Sequence, residues 1–131
     1  MNIVDSSGWL EYFSGGPNAE FFLPPLKAPA SLIVPVITIS EVFKVVLREA
    51  GENEALQSIA AMQKGQVKEL TISLAMNAAR ISLQRNLPMA DSLILATANA
   101  YKCALWTQDS DFENLPGVHF FPRISAGQQG H

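Results

Sequence analysis

The run Leu32-Ile33-Val34-Pro35-Val36 carries no polar side chain at any position, and Met1–Val4 is interrupted only by Asn2. Strands of this kind have no face to offer water. They are buried on both sides, which is the signature of a parallel sheet covered by helices. The rest of the chain is consistent with that constraint. Helical spacing, caps and breakers predict helices over Ser6–Phe13, Asn18–Leu23, Ile39–Ala50, Asn53–Lys64, Ser73–Arg85 and Pro88–Lys102. Ser6 or Ser7 suits the first cap, Pro24-Pro25 ends the second helix, and Thr38 or Ser40 suits the third cap, with Gly51 closing that helix. Further strands are expected at Val67–Ile72 (weak, at a sheet edge), Ala104–Thr107 and Val118–Phe121. Strands alternating with helices predict an α/β fold of three layers, α/β/α, around a central, mostly parallel five-stranded sheet.

The 131 residues suit one domain, expected over 1–124 with a flexible tail at 125–131. The single cysteine, Cys103, excludes an internal disulfide, and with only His119 and His131 beside it the usual structural zinc sites are excluded too. No basic start followed by an apolar stretch marks secretion, and no apolar run approaches the roughly 18 residues of a membrane helix. A cytoplasmic protein is the expectation. Nine Lys and Arg stand against twelve Asp and Glu, a net charge of −3. That balance argues against nonspecific electrostatic binding of nucleic acid, but not against a nucleic-acid enzyme whose site holds cations. Charged residues make up 16% of the chain, against about 25% in a typical domain, so each acid invites its own explanation.

Asp5 directly follows the first strand, Glu41 lies in the first turn of the helix after the second, Asp91 opens the helix leading into the fourth, and Asp109 and Asp111 follow the fourth. In a parallel sheet all these positions face the carboxyl edge, where ligands bind. Taken singly, Asp5 suits a helix cap, Glu41 a helix N-terminus and Asp109 and Asp111 a turn. Asp91 resists such a reading. Its helix, Pro88-Met89-Ala90-Asp91-Ser92-Leu93-Ile94-Leu95-Ala96-Thr97-Ala98, is apolar on almost every face, with no Lys or Arg between Arg85 and Lys102. A buried carboxylate needs a partner or a metal. Clustered carboxylates repel one another, and a hard divalent cation, Mg²⁺ or Mn²⁺, relieves that repulsion. Such an ion also suits phosphoryl transfer.

Asp5-Ser6-Ser7, Ser40-Glu41-Val42, Ala90-Asp91-Ser92-Leu93-Ile94 with Ala96-x-Ala98, and Leu105-Trp106-Thr107-x-Asp109-x-Asp111-Phe112 together resemble the PIN-domain ribonucleases. Among these the chain looks most like the VapC-type toxins of type II toxin–antitoxin pairs, from Met1 to about Arg123. Each motif alone is weak, and the four in this order are strong. The resemblance implies a PIN-like fold and an endoribonuclease dependent on Mg²⁺ or Mn²⁺. It places the acidic quartet on Asp5, Glu41, Asp91 and Asp109, with Asp111 as an auxiliary acid and Thr107 and Ser6 beside the metal site. It also implies an RNA substrate, a homodimer and a VapB-like antitoxin that blocks the site. Lys44 and Arg48, on the Glu41 helix, are candidate RNA contacts, with a solvated face as the plainer reading.

Trp9, Leu10, Tyr12 and Phe13 read largely as core, as does Cys103, while His119 reads as structural or exposed. Phe21, Phe22 and Leu23 read as core or as an apolar patch for an antitoxin helix or second subunit. Three other function classes remain to be weighed. A non-catalytic PIN-like module binding RNA or protein would lack metal-dependent activity. A phospho-acceptor receiver domain would pair acids after the first strand and place a Lys after the last; here Ser6-Ser7 follow Asp5, and Pro122-Arg123 follow the last strand. A phosphate-cradling nucleotide enzyme would carry a glycine-rich loop after the first strand, where none stands.

Overall fold

The five strands are β1 (Asn2–Val4), β2 (Leu32–Pro35), β3 (Gln66–Lys68), β4 (Ala104–Thr107) and β5 (Val118–Phe120). They form one sheet in the order β3-β2-β1-β4-β5, every neighbouring pair parallel, in a computed structural model that describes residues 1–124. The tail expected at 125–131 lies outside the described residues. Among the described residues six α-helices fill the connections up to β4 in pairs, α1 (Ser6–Ser14), α2 (Leu23–Leu26), α3 (Val36–Ala50), α4 (Glu52–Met62), α5 (Ile72–Arg85) and α6 (Met89–Tyr101), while only a 3₁₀ turn lies between β4 and β5. The α/β/α expectation holds, and among the described residues the sheet is wholly parallel.

Side chains alternate across the sheet as the strand period demands. Ile3, Ile33 and Leu105 point into one core with Leu87, Ile94, Leu95 and Ala98 from α6 and its approach, and with Phe112. Val4, Leu32 and Val34 point into the other, with Trp9 of α1, Val42 of α3, Met62 of α4 and Phe22. Both faces of β1 at Ile3 and Val4 and of β2 are thus dry, as their apolar sequence requires. Polar β3 occupies an edge.

Several expected boundaries move. The second strand ends at Pro35 and the third helix begins at Val36, not Ile39. Val36 is β-branched and reads locally as strand, but packing overrides so weak a preference. Neither Thr38 nor Ser40 caps this helix. Thr38 Oγ1 donates to Pro35 O at 2.6 Å and Ser40 Oγ to Ile37 O at 2.8 Å, so Glu41 falls in the second helical turn rather than the first. Pro24-Pro25 do not stop a helix. A 3₁₀ turn at Ala19–Phe22 leads into α2, whose first turn tolerates proline because its N–H groups have no helical partner anyway. Asp5, not Ser6 or Ser7, caps α1, and Thr71, not Ser73, caps α5.

Cys103 is partly buried against the first core. In the Trp9 cluster, Trp9 is buried and Leu10 and Phe13 partly so, while Tyr12 is exposed. Phe22 is core, whereas Phe21 is half exposed and stacks on Phe121 at 4.6 Å. His119 is exposed and stacks on Trp106. Among the described residues no helix is long and apolar enough to cross a membrane.

Candidate metal centre

The chain runs from β1 outward through β2 to β3, then crosses to β4 on the other side of β1. The β1–β4 seam is therefore the switch point of the sheet, and its carboxyl end is where such sheets bind ligands. Asp5 leaves β1 there, and Thr107 and Asp109 leave β4 beside it. The backbone stitches the seam as far as Asp5 N, which donates to Trp106 O at 3.1 Å.

Asp5 is fully buried and held from three sides. Its Oδ1 accepts from Ser7 Oγ at 2.7 Å and from Gly8 N at 3.0 Å; its Oδ2 accepts from Thr107 Oγ1 at 2.6 Å. The helix-cap reading of Asp5 is correct, and Oδ2 still keeps acceptor capacity for a cation. Thr107 Oγ1 in turn accepts from Asp109 N at 2.9 Å, so one hydroxyl ties both strand exits together. Asp109 Oδ1 accepts from Asp111 N at 2.9 Å and heads a 3₁₀ turn, Ser110–Phe112, anchored by the buried Phe112 ring. The turn reading of these acids is correct too.

Asp91 arrives on the first turn of α6. Asp91, Asp109 and Asp111 each present a carboxylate oxygen, all within 4.8 Å of one another. Three of the five expected acids therefore converge tightly. Asp5 and Glu41 stand outside that trio. Glu41, on α3, is tethered to the Asp5 loop by Ser6 Oγ, which donates to Glu41 Oε1 at 2.5 Å. Lys44 is exposed farther along α3, and Arg48 pairs with Glu49 at 3.2 Å on the exposed surface, where such pairs contribute little.

Electrostatics mark buried Asp5 and half-buried Asp91. Burial raises the Asp5 carboxyl to about 6, against the opposing pull of its three hydrogen bonds and with the Asp109 charge adding to the rise. Burial also raises Asp91 to about 8, reinforced by the charges of Asp109, Asp111 and Asp5 and by hydrogen bonding to Asp111. Among the described residues no Lys or Arg forms an ion pair with any of the five acids. An all-oxygen, uncompensated donor set of this kind fits a hard divalent cation such as Mg²⁺ or Mn²⁺.

Sequence reasoning missed a polar cluster behind the acids: Ser7, Glu11, Asn18 and Gln108, of which Asn18 and Gln108 are buried. Ser7 and Gln108 also border a groove of about 540 Å³ between α1, α3 and α4. That groove is apolar at Leu10, Phe13 and Val46 and acidic at Glu49 and Glu54, and none of the five site acids lines it. The available signal for Gln108 was its place between Thr107 and Asp109. Asn18 carried none, being read as part of a helix.

A sequence model of the PIN domain matches residues 3–118. No curated protein sequence matches significantly. Among solved structures, a toxin–antitoxin complex from Klebsiella pneumoniae contains a chain 22% identical with a TM-score of 0.81, the alignment covering 94% of this chain and 100% of that one. The sarcin–ricin-loop-cleaving toxin VapC20 of Mycobacterium tuberculosis is 16% identical with a TM-score of 0.72, covering 86% of this chain and 92% of that one. VapBC2 of Rickettsia felis, bound to a promoter DNA fragment, is 12% identical with a TM-score of 0.69, covering 92% and 97%. At these identities the likeness is one of fold.

Proposed function

The chain belongs to the PIN-domain family, and from that premise we propose that it is a VapC-like toxin: a metal-dependent endoribonuclease that hydrolyses RNA phosphodiester bonds and is inhibited by a cognate antitoxin. The observation that carries this reading is the convergence of Asp91, Asp109 and Asp111 beside buried Asp5, with no Lys or Arg among the described residues in an ion pair with them.

Asp5, Glu41, Asp91 and Asp109, with Asp111, would hold Mg²⁺ or Mn²⁺. Bound there, such an ion supplies water activation and stabilisation of the leaving oxygen. The chain's own residues keep the acids in register. Thr107 fixes Asp5 Oδ2 and the Asp109 backbone, and Ser6 fixes Glu41. Asp5 and Asp91 must lose the protons that burial favours before either can ligate. Lys44 and Arg48 share the side of α3 that carries Glu41, at helical spacing, and would meet RNA phosphates leading away from the site.

The structural neighbours include a toxin–antitoxin complex and VapBC2, which supports an antitoxin partner. The groove between α1, α3 and α4 offers such a partner apolar and acidic surface adjoining the site. Ile72, Met76 and Leu83, exposed along α5, offer apolar area for a homodimer. A cytoplasmic location accords with an RNA substrate.

The test is RNA cleavage by antitoxin-free protein with Mg²⁺ or Mn²⁺, compared with Asp91→Asn. Cleavage by wild type and its loss in the variant is the expected result. Equal cleavage by both would overturn this mechanism, and none by antitoxin-free wild type would leave the non-catalytic module as the better reading.

A further inference from the structure

Asn18 is 1% exposed and Gln108 3% exposed, and buried amides of this kind persist only where their hydrogen bonds are met. Asn18 Nδ2 donates to Gln108 Oε1 at 3.0 Å and to Pro122 O at 2.9 Å. Gln108 Nε2 donates to Ser7 O and to Glu11 Oε1, both at 3.4 Å, while Glu11 Oε2 accepts from Asn18 N at 2.7 Å. Gln108 N donates to Ser7 Oγ at 3.2 Å, and Ser7 Oγ passes a hydrogen bond to Asp5 Oδ1.

These bonds fall where the sheet stops helping. The β1–β4 ladder ends at Val4 and Trp106, with one more backbone bond from Asp5 N. Beyond that point the Thr107–Asp109 exit is held to α1 by side chains: Thr107 on Asp5, Ser7 on Gln108 N, and Gln108 on Ser7 and Glu11. The Asn18–Gln108 amide contact orients the last of these, since accepting from Asn18 turns the Gln108 N–H group toward Ser7 and Glu11.

We propose that Asn18 and Gln108 are positioning residues of the divalent-cation centre, clamping the β4 exit to α1 so that Asp5 and Asp109 keep the separation a shared ion requires. This rests on the metal-centre reading above and is independent of which RNA is cut. Residues that orient metal ligands in this way typically alter affinity by about 10–100-fold when removed.

The test is calorimetric titration with Mn²⁺ at one pH for wild type, Asn18→Ala, Gln108→Met and the double variant, with the Tm of each. Leu74→Ala, in the α5–α6 seam, serves as a control for general destabilisation. Each single variant is expected to raise the Mn²⁺ Kd at least about tenfold. The double variant should raise it no further than the larger single effect, because two halves of one clamp are not additive. Leu74→Ala should lower Tm and leave Kd unchanged. If one single variant does not fold, the other carries the test. A wild-type Kd in either folded single variant, a fully additive double variant, or an equal loss of affinity in Leu74→Ala overturns the positioning role. Absence of Mn²⁺ binding by wild type overturns the metal centre and the clamp together.

Discussion

Asp5 and Asp91 hold carboxyls in surroundings that favour their neutral form, at about 6 and about 8, against an ordinary value of 3.8. The sign of the consequence follows from linkage. A raised folded-state value means that the native protein binds protons more tightly than the unfolded chain. The resulting stabilisation is complete below about pH 3.8 and is lost as pH rises through about 6 for Asp5 and about 8 for Asp91. These two groups therefore make the metal-free protein less stable at pH 8 than at pH 6. A divalent ion reverses that penalty, because it binds only the deprotonated ligands. The gain in Tm on adding Mn²⁺ should accordingly grow from pH 6 to pH 8, measured by thermal melts with and without the ion. A gain that shrinks over that range would mean that the ion binds elsewhere. Asp5 and Asp109 also show why a plain local role and a place in the site are compatible. Each performs the plain local task, a helix cap or a turn, with one carboxylate oxygen and retains the other oxygen for the site.

At the scale of elements, α1 is the piece that sets the site, because it starts on Asp5 and carries Ser6, Ser7 and Glu11. Its close approach to β1 depends on Gly8. A Cβ there would lie 2.6 Å from Val4 Cγ1 and 2.7 Å from Phe22 Cε1. In an exposed helix Gly→Ala gains up to about 1 kcal/mol; here overpacking should outweigh that gain, at about 1–3 kcal/mol. Gly8→Ala is thus expected to lower Tm, and a raised Tm would show that α1 has room to shift. The elements most legible in the sequence were those with an unbroken pattern: β1, β2, β4, α5 and the long apolar α6. The boundaries that moved were those where a local rule met a stronger distant force. Val36 joined a helix because α3 is fixed by its packing on β2, and Pro24-Pro25 sat harmlessly in a first turn.

For the molecule as a whole, strand order is what brings acids spread along the sequence to one edge of the sheet, three of them within 4.8 Å of one another. Parallel polarity was readable from dry strands such as Leu32–Pro35, so the common edge of the acids was readable as well. How the acids divide was not: Asp91, Asp109 and Asp111 converge, Asp5 sits behind Thr107, and Glu41 is reached through Ser6. The Asn18–Gln108 contact was illegible for a related reason. It joins residues 90 positions apart, one read as the start of a helix and the other as a strand exit, with nothing local to link them. The net charge of −3 also changes meaning. Spread evenly it would discourage RNA binding, but with acids gathered at one edge and neutralised by a divalent ion, as proposed above, it would become the means of holding a phosphodiester. The most direct measurement is an anomalous difference map from crystals grown with Mn²⁺. The prediction is a peak among the carboxylates of Asp91 and Asp109 and Oδ2 of Asp5. A fully ordered site with bound Mn²⁺ only elsewhere in the crystal would contradict it.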